Sequence, residues 1–224
     1  MSTTLPGSVQ AAAPGLKGFD ANTPISASAA QAFLEKGYRF VVRYVGRTEM
    51  KSYDLSAAEA NTILQAGLGL MVVQHVLNPG WNPTGSLGTQ YGTNAAGFAQ
   101  QLGFPPGVNV WCDLECVADG TAASDVVAYC NNWHDQVAAA GYVPGLYVGY
   151  EPGLTGQQLY SSLKFKAYWA AYNVDVSIPT RGWQLVQKVG TGGTIAGIST
   201  ESYDDDVTQT DHLGGQALWL STGG

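Results

Sequence analysis

From Leu16 onward, the sequence alternates apolar runs of strand length with amphipathic stretches of helix length, and this feature most constrains the fold. Such alternation is typical of parallel strands joined by crossover helices. Helix-length stretches follow the first five candidate strands, so we predict an irregular (β/α)8 TIM-type barrel of the α/β class rather than a doubly wound sheet. The candidate strands lie at residues 16–21, 39–45, 68–75, 108–114, 143–149, 165–171, 183–188 and 202–207.

The length of 224 residues suits one barrel domain. Residues 1–15 are rich in Ala, Ser, Thr, Gly and Pro without a sustained period, so we expect a flexible N-terminal arm there and a barrel domain over residues 16–224. Apolar residues make up 45% of the chain and charged residues only 12%, which is enough apolar material for a large core.

Charge and composition restrict the class of partner. The formal net charge is −7, from 17 acidic and 10 basic residues, whereas nucleic-acid binding requires clustered Lys and Arg. We therefore expect no nucleic-acid partner. The many hydroxyl, amide and aromatic side chains suit a neutral, hydroxyl-rich ligand such as a sugar, and we expect the chain to act as a monomer.

The sequence shows no run of about 20 apolar residues, which a membrane-spanning helix requires. Its first residues lack the basic and apolar regions of a signal peptide. We expect no membrane span and a location outside the cytoplasm without a visible signal peptide. Three cysteines, Cys112, Cys116 and Cys130, are interpreted as buried thiols with one optional bridge.

Acidic residues fall at the ends of three predicted strands, and the C-terminal strand ends form the working face of such a barrel. Asp20 ends the first strand, Asp113 and Glu115 end the fourth, and an Asp triplet that includes Asp204 lies on the eighth. Residues two apart on a strand point to the same face, so Asp113 and Glu115 can share one task. Two close carboxylates in a poorly solvated cleft raise each other's pKa, which keeps a proton available for a leaving glycosidic oxygen.

A purely structural role is the competing interpretation of these acids. A strand acid flanked by apolar residues can be the buried partner of Arg43 or Lys188. A run such as residues 204–206 is more often a solvated turn, so we expect only one or two of its three side chains to point inward.

Aromatic and polar residues on the strands are candidates for sugar binding. We single out Tyr147, Trp169 and Trp183 for ring stacking, with Gln184 and His75 as polar contacts. Most aromatic residues at such spacing lie in the core, so this signal is weaker than that of the acids.

Other chemistries have little support. The sequence lacks a phosphate-binding loop with Lys-Ser or Lys-Thr, a GxSxG turn and an HExxH helix, so we expect no cofactor and no resident metal. His75 beside several carboxylates leaves a hard-cation site open.

Several segments together resemble a known family. They are GFDANTPISASAAQAFLEKGYRFVVRYVGR, VWCDLE, WQLVQ and YDDDV. The chain resembles the glycoside-hydrolase-like family called domain of unknown function 1906, a divergent relative of the family 25 lysozymes, over residues 16–207.

The resemblance implies a role for each acid. Glu115 would be the general acid, and Asp113 would orient an N-acetyl group or stabilise positive charge at the sugar. Asp20 and Asp204 would hold the cleft electrostatically and position water or substrate hydroxyls.

Three functions remain open from the sequence. The leading hypothesis is a lysozyme-like glycoside hydrolase that cleaves peptidoglycan or another N-acetylated glycan. The second is a noncatalytic glycan-binding barrel, and the third is a metal-dependent phosphodiester hydrolase that uses His75 with the acids.

Overall fold

The computed structural model describes residues 4–223, so the first three residues and the last lie outside it. Within this range the chain forms ten strands and five helices. The strands are β1 Ser8–Ala11, β2 Lys17–Ala21, β3 Phe40–Val45, β4 Gly69–Gln74, β5 Asn109–Leu114, β6 Val143–Val148, β7 Ala167–Ala170, β8 Leu185–Lys188, β9 Tyr203–Thr208 and β10 Leu218–Ser221. The helices are α1 Ala27–Glu35, α2 Ala57–Ala66, α3 Gly85–Leu102, α4 Ala123–Ala139 and α5 Gly156–Ser161.

Strands β2 to β9 close into a barrel. They follow the order β4-β3-β2-β9-β8-β7-β6-β5, and a pairing between β4 and β5 completes the ring. The irregular (β/α)8-type barrel predicted from the sequence is therefore confirmed, and each of the eight candidate strands is present. Helix boundaries follow the expected signals, since Ser56 caps the start of α2 and Gly67, with φ of 98°, ends it.

One strand runs against the others. Neighbouring strands from β2 to β8 are parallel where they pair, whereas β9 is antiparallel to both β8 and β2. No helix lies between β8 and β9 to return the chain to the N-terminal end of the barrel. Strand β9 therefore begins at the C-terminal mouth, where Asp204 lies opposite Asp20.

The prediction of a flexible N-terminal arm is wrong for its described part, residues 4–15. Strand β1 pairs along its whole length with β10, and Leu5 and Ala12 are 3% and 0% exposed. Strand β10 joins the barrel through Leu220 opposite Leu70. Four-residue strands show too little alternation to be recognised in the sequence, because their order comes from pairing across nearly the whole chain.

Large side chains fill the barrel below its mouth. The Trp111 and Trp169 rings are fully buried and meet edge to face at 5.8 Å between centroids. Gly145 makes this packing possible, since a Cβ there would lie 2.3 Å from the Trp111 ring. At the opposite end of the barrel, Trp219 packs on Phe40 at 5.2 Å.

The three cysteines are all free, with Cys112 and Cys130 buried and Cys116 half-buried. The optional bridge considered from the sequence is therefore not formed. None of the helices in residues 4–223 has the length and apolar character required to cross a membrane.

Candidate active site

Four acidic side chains converge at the mouth of the barrel. Asp20 near the end of β2 and Asp113 on β5 are 4% and 5% exposed, and Asp206 on β9 is fully buried. Glu115, directly after β5, is only half-buried. Three carboxyl groups therefore form the floor of the mouth, and the fourth remains accessible from it.

The Asp20 carboxyl is held by two neighbours. Gln187 on β8 donates from Nε2 to Asp20 Oδ2 at 2.7 Å, and the Tyr44 hydroxyl lies 3.5 Å from Oδ1. The Gln187 Oε1 accepts from the Tyr147 hydroxyl at 3.0 Å and from the Tyr172 amide at 3.2 Å. Since both donors lie at Oε1, the Gln187 amide group must present its NH2 to Asp20.

Asp206 lies against the same floor. Trp169 donates from Nε1 to Asp206 Oδ1 at 2.8 Å. Within residues 4–223, Asp206 Oδ2 and Asp113 Oδ1 are buried without a hydrogen-bond partner. An ionised carboxylate is costly in such surroundings, so the sites favour the protonated acid.

Burial is the main cause of the pKa shifts at the floor. It raises the pKa of Asp20 to about 7, against the lowering effect of the Gln187 hydrogen bond and with a further rise from the Asp204 charge. Burial, then the charges of Glu115 and Asp20, raise the pKa of Asp113 well above its ordinary value. The pKa of Asp206 is raised in the same way, first by burial and then by Asp20. The mouth therefore retains protons that solvent-exposed carboxyls lose near pH 4.

Glu115 is positioned by its backbone and by a glycine. The indole of Trp81 donates to the Glu115 carbonyl at 2.9 Å, and Cys116 redirects the chain directly afterwards with φ of 51°, in the left-handed region. A Cβ at Gly149 would lie 2.2 Å from Glu115 Oε2, so only glycine leaves room for this carboxyl. Burial raises the pKa of Glu115. The result is an accessible carboxyl that keeps its proton to a higher pH than a solvent-exposed Glu does.

The Asp triplet on β9 divides between two faces. Asp204 lies on the same face as Asp20 and Asp206, is half-buried, and accepts from the Gly190 amide at 3.3 Å. Asp205 points outward, where it accepts from the Tyr38 hydroxyl at 2.6 Å and lies 3.6 Å from the Lys17 ammonium. Two of the three side chains therefore face inward, in agreement with the sequence-based expectation.

The structural alternative for the strand acids was an ion pair with Arg43, but Arg43 pairs with a different acid. Its guanidinium lies 2.7 Å from Glu59, which is on α2. The floor acids therefore do not neutralise this buried cation.

Three of the predicted sugar-binding residues lie away from the accessible mouth. Trp169 is buried beneath Asp206, so its ring faces cannot stack on a sugar. Trp183 precedes β8 and lies at the N-terminal end of the barrel, where it lines a cavity with Pro179 and His212. The Gln184 amide is occupied by Tyr168, Lys166 and Asp211.

The other two predicted binding residues lie at the mouth. Tyr147 is on the floor, 6% exposed, and bonded to Gln187. His75 stacks on Tyr44 at 4.5 Å between ring centroids and shares a 2.8 Å hydrogen bond with Asp54. This stack connects the rim of the mouth to Asp20.

On β9 the sequence analysis selected the half-buried Asp204, whereas the fully buried acid of the floor is Asp206. It also did not select Gln187, Tyr44 or Asp54, and period-two alternation could have identified the first two. On β8, Gln187 shares the face of Leu185, whereas Gln184 lies on the opposite face. On β3, Tyr44 shares the face of Val42, which lies beside Asp20 in the sheet. No sequence signal identifies Asp54, which precedes α2 and reaches His75 from a loop.

In residues 4–223 no three His, Cys, Asp or Glu side chains are grouped so that they could hold a metal ion.

The sequence profile of the Rv2525c-like, glycoside hydrolase-like domain matches residues 31–211. The chain belongs to this family. The resemblance inferred from the sequence is thereby confirmed, and the Rv2525c-like match includes the segments that carry Asp113, Glu115, Gln187 and the β9 acids. Comparison with curated protein sequences found no significant match.

Solved structures share the fold of this Rv2525c-like domain. The Tat-secreted protein Rv2525c of Mycobacterium tuberculosis, in complex with L-tartrate, has a TM-score of 0.66 at 16% identity, with 88% of this chain and 96% of that chain covered. The lysozyme of Streptomyces coelicolor has a TM-score of 0.56 at 16% identity, with coverage of 90% and 95%. A family 25 glycosyl hydrolase from Bacillus anthracis has a TM-score of 0.52 at 13% identity, with coverage of 89% and 91%. At such identities the likeness concerns the fold alone.

Proposed function

We propose that the protein is a glycoside hydrolase that cleaves an N-acetylated glycan such as peptidoglycan, with Glu115 as the general acid. The observation that carries this proposal is the arrangement of the mouth. Three buried carboxyl groups form the floor of a mouth in which a fourth carboxyl is accessible, and burial raises the pKa of all four. A protonated acid beside further carboxyl groups is what glycosidic bond cleavage requires.

Glu115 is suited to the donor role because it is the most accessible of the four. Its raised pKa keeps the proton at a pH where a solvent-exposed Glu is ionised. In the proposed first step, this proton passes to the glycosidic oxygen as the bond between that oxygen and the anomeric carbon breaks. Gly149 and the Trp81 contact fix the position from which the proton leaves.

Asp113 would then act on the sugar whose glycosidic bond is broken. It lies two residues from Glu115 on the same face, roughly 6–7 Å away along the backbone. When protonated, it can donate to an N-acetyl oxygen, and when ionised it can stabilise positive charge at the anomeric carbon. Asp20 and Asp204 would bind water or substrate hydroxyls. The oxygen of a water molecule would then bond to the anomeric carbon while its proton passes to Glu115, which restores the acid.

The substrate class rests on the fold and the family. The lysozyme of Streptomyces coelicolor and the family 25 enzyme of Bacillus anthracis have the same barrel. We propose that this chain acts as a monomer on peptidoglycan or a related glycan outside the cytoplasm. The Tat-secreted Rv2525c, another protein with this fold, supports that location.

The test is the release of reducing ends from purified peptidoglycan and from a panel of N-acetylated and neutral glycans. The parent is compared with Glu115→Gln, and Glu35→Gln, on the exposed end of α1, is the matched control. We expect turnover by the parent and by Glu35→Gln, and a loss of about 100-fold or more in Glu115→Gln. Equal turnover by both variants would refute the role of Glu115.

One observation favours a second candidate, a noncatalytic glycan-binding barrel. If Asp20, Asp113 and Asp206 stay neutral, the floor of the mouth offers no negative charge to stabilise the transition state. Under this alternative the folded parent binds glycans without turnover, and Glu115→Gln changes affinity only.

A further inference from the structure

A second cavity lies beside the mouth, outside the carboxylate cluster. Its volume is about 270 Å³, and it is formed by the loop after β3 and the segment after β4. Its polar lining residues include Arg47, Glu49, Lys51, Tyr53, His75 and Asn78. We call it the Arg47 cavity.

Arg47 is a half-buried cation without an acidic partner. Its Nη1 donates to the carbonyl of Val76, and no Asp or Glu oxygen of residues 4–223 lies within 4 Å of its guanidinium. By contrast, Lys51 in the same cavity is paired with Glu49. Of the four arginines, Arg43 and Arg181 are each paired with an acid, whereas Arg47 lies in a cavity without one. A guanidinium keeps its full charge and presents a planar fork of donors that matches a carboxylate.

The backbone around Arg47 is held in place. Asn94 on α3 donates to the Arg47 carbonyl at 2.6 Å, and the guanidinium is anchored at Val76. The cation is therefore positioned before any ligand arrives, which reduces the entropy cost of binding.

The remaining walls suit a sugar ring. Tyr53 is 48% exposed and meets His75 edge to face at 5.9 Å, so its ring offers an accessible apolar surface. The Asn78 amide adds a donor and an acceptor. An exposed aromatic ring beside amide and imidazole groups is a usual combination for binding sugars.

His75 belongs to both the cavity and the mouth. It lines the Arg47 cavity and stacks on Tyr44, whose hydroxyl reaches Asp20. A glycan in the mouth would therefore extend into the cavity with its neighbouring sugar residue.

We propose that the Arg47 cavity is a subsite for a sugar residue that carries a carboxylate, with Arg47 as the residue that recognises this group. The proposal rests on the proposed function in one respect, namely that the mouth holds a glycan. The carboxylate can come from two sources, the lactyl ether of a muramic acid residue or the C6 carboxylate of a uronic acid.

The test measures binding by calorimetry to protein that carries Glu115→Gln, so that no glycan is consumed. The probes are a peptide-free tetrasaccharide of alternating N-acetylglucosamine and N-acetylmuramic acid, the same compound with its carboxyls reduced to alcohols, and a hyaluronan tetrasaccharide. We expect the acidic muramic compound or hyaluronan to bind about tenfold more tightly than the carboxyl-reduced compound at low salt. Which acid binds more tightly identifies the source of the carboxylate.

Arg47→Gln is expected to remove the tenfold preference while the reduced compound binds as before. Arg39→Gln is the matched control. Within residues 4–223 Arg39 also bonds to backbone carbonyls and forms no ion pair, but it lies at the opposite end of β3. If Arg47→Gln does not fold, the preference of the parent for acid over alcohol, and its decline with added salt, still test the proposal.

The proposal is overturned if the acidic and reduced compounds bind equally, or if Arg39→Gln removes the preference as fully as Arg47→Gln does. Turnover on neutral glycans without an acid preference would contradict this subsite and leave the proposed function intact. An Arg47-dependent preference in a parent protein without turnover would support the subsite and contradict the proposed hydrolase.

Discussion

The amide nitrogen of Gln187 on β8 donates to Oδ2 of Asp20 on β2 at 2.7 Å, and the reversed strand β9 lies between these two strands. This bond ties the end of β2 to β8 and lowers the pKa of Asp20 against the larger, opposite effect of burial. Because Gln187 also accepts from Tyr147, one amide group links three strands around the floor of the mouth.

We expect Gln187→Met to lower the free energy of unfolding by about 1–3 kcal/mol, although it nearly conserves volume. The change leaves the Tyr147 hydroxyl and the Asp20 carboxyl buried without this partner. Urea unfolding measures the effect, with Gln10→Met on the exposed edge strand β1 as the control, where we expect a change within about 0.5 kcal/mol. Equal effects of the two substitutions would show that the Gln187 network contributes nothing specific.

The pH dependence of stability follows from the buried acids. Burial raises the pKa of Asp20 to about 7, whereas an Asp in an unfolded chain titrates near about 3.9. Between these pH values the folded state holds a proton that the unfolded state releases, so the free energy of unfolding falls as the pH rises from about 4 to about 7. Above that range the contribution of Asp20 stays constant. Asp113 and Asp206 act in the same direction.

The substitution Asp20→Asn removes the contribution of Asp20 to the pH dependence of the free energy of unfolding. This contribution is up to about 1.4 kcal/mol per pH unit. Urea unfolding at several pH values between 4.5 and 6.5, for the parent and the variant, measures the two slopes. If the stability of the parent rises with pH over this interval, the carboxyls of the floor are not protonated there. The same follows if stability changes with pH as steeply in Asp20→Asn as in the parent.

Gly149 controls the position of Glu115. The Cβ of Gly149→Ala would lie 2.2 Å from Glu115 Oε2 and 2.5 Å from Glu115 Cβ, so the side chain must move. We expect glycan turnover to fall by about tenfold or more, since small displacements of a catalytic group are costly. Gly97→Ala on α3 is the control, because its Cβ would meet no atom within 4 Å. Retained turnover in Gly149→Ala would show that the position of the carboxyl is not critical.

The order of the N-terminal segment can be tested with one leucine. We expect Leu5→Ala to lower the free energy of unfolding by about 2–3 kcal/mol, because this side chain is 3% exposed. Leu213→Ala, at a site 55% exposed, should change it by less than about 0.5 kcal/mol. Thermal unfolding compares the two, and a flexible arm would make the Leu5 substitution as mild as the control.

The sequence predicts the barrel well because each unit from β2 to β7 carries local signals. Ser56 and Gly67 mark the ends of α2, and VWCDLE shows the apolar run of a strand that ends in acids. The reversal of β9 has no such signal. Its direction is set by an irregular connection after β8 and by pairing with β2, far away in the chain.

The acids of the site were predictable, but the groups that hold them were less so. Asp20, Asp113 and Glu115 stand at recognisable strand ends. In the sequence, Trp169 looks the same as an aromatic residue exposed for stacking on a sugar. In the structure its indole is buried and donates a hydrogen bond to Asp206. Only the packed barrel decides which face of a strand remains accessible.

Hydrolysis of a glycosidic bond through Glu115 can be followed with peptidoglycan digested in water enriched in oxygen-18. Mass spectrometry of the soluble products from the parent, Glu115→Gln and Glu35→Gln detects the label. We predict one labelled oxygen at each new reducing end for the parent and Glu35→Gln, and none above background for Glu115→Gln. Folded parent protein that releases no labelled product, or a Glu115→Gln variant that releases as much as the parent, would contradict the account.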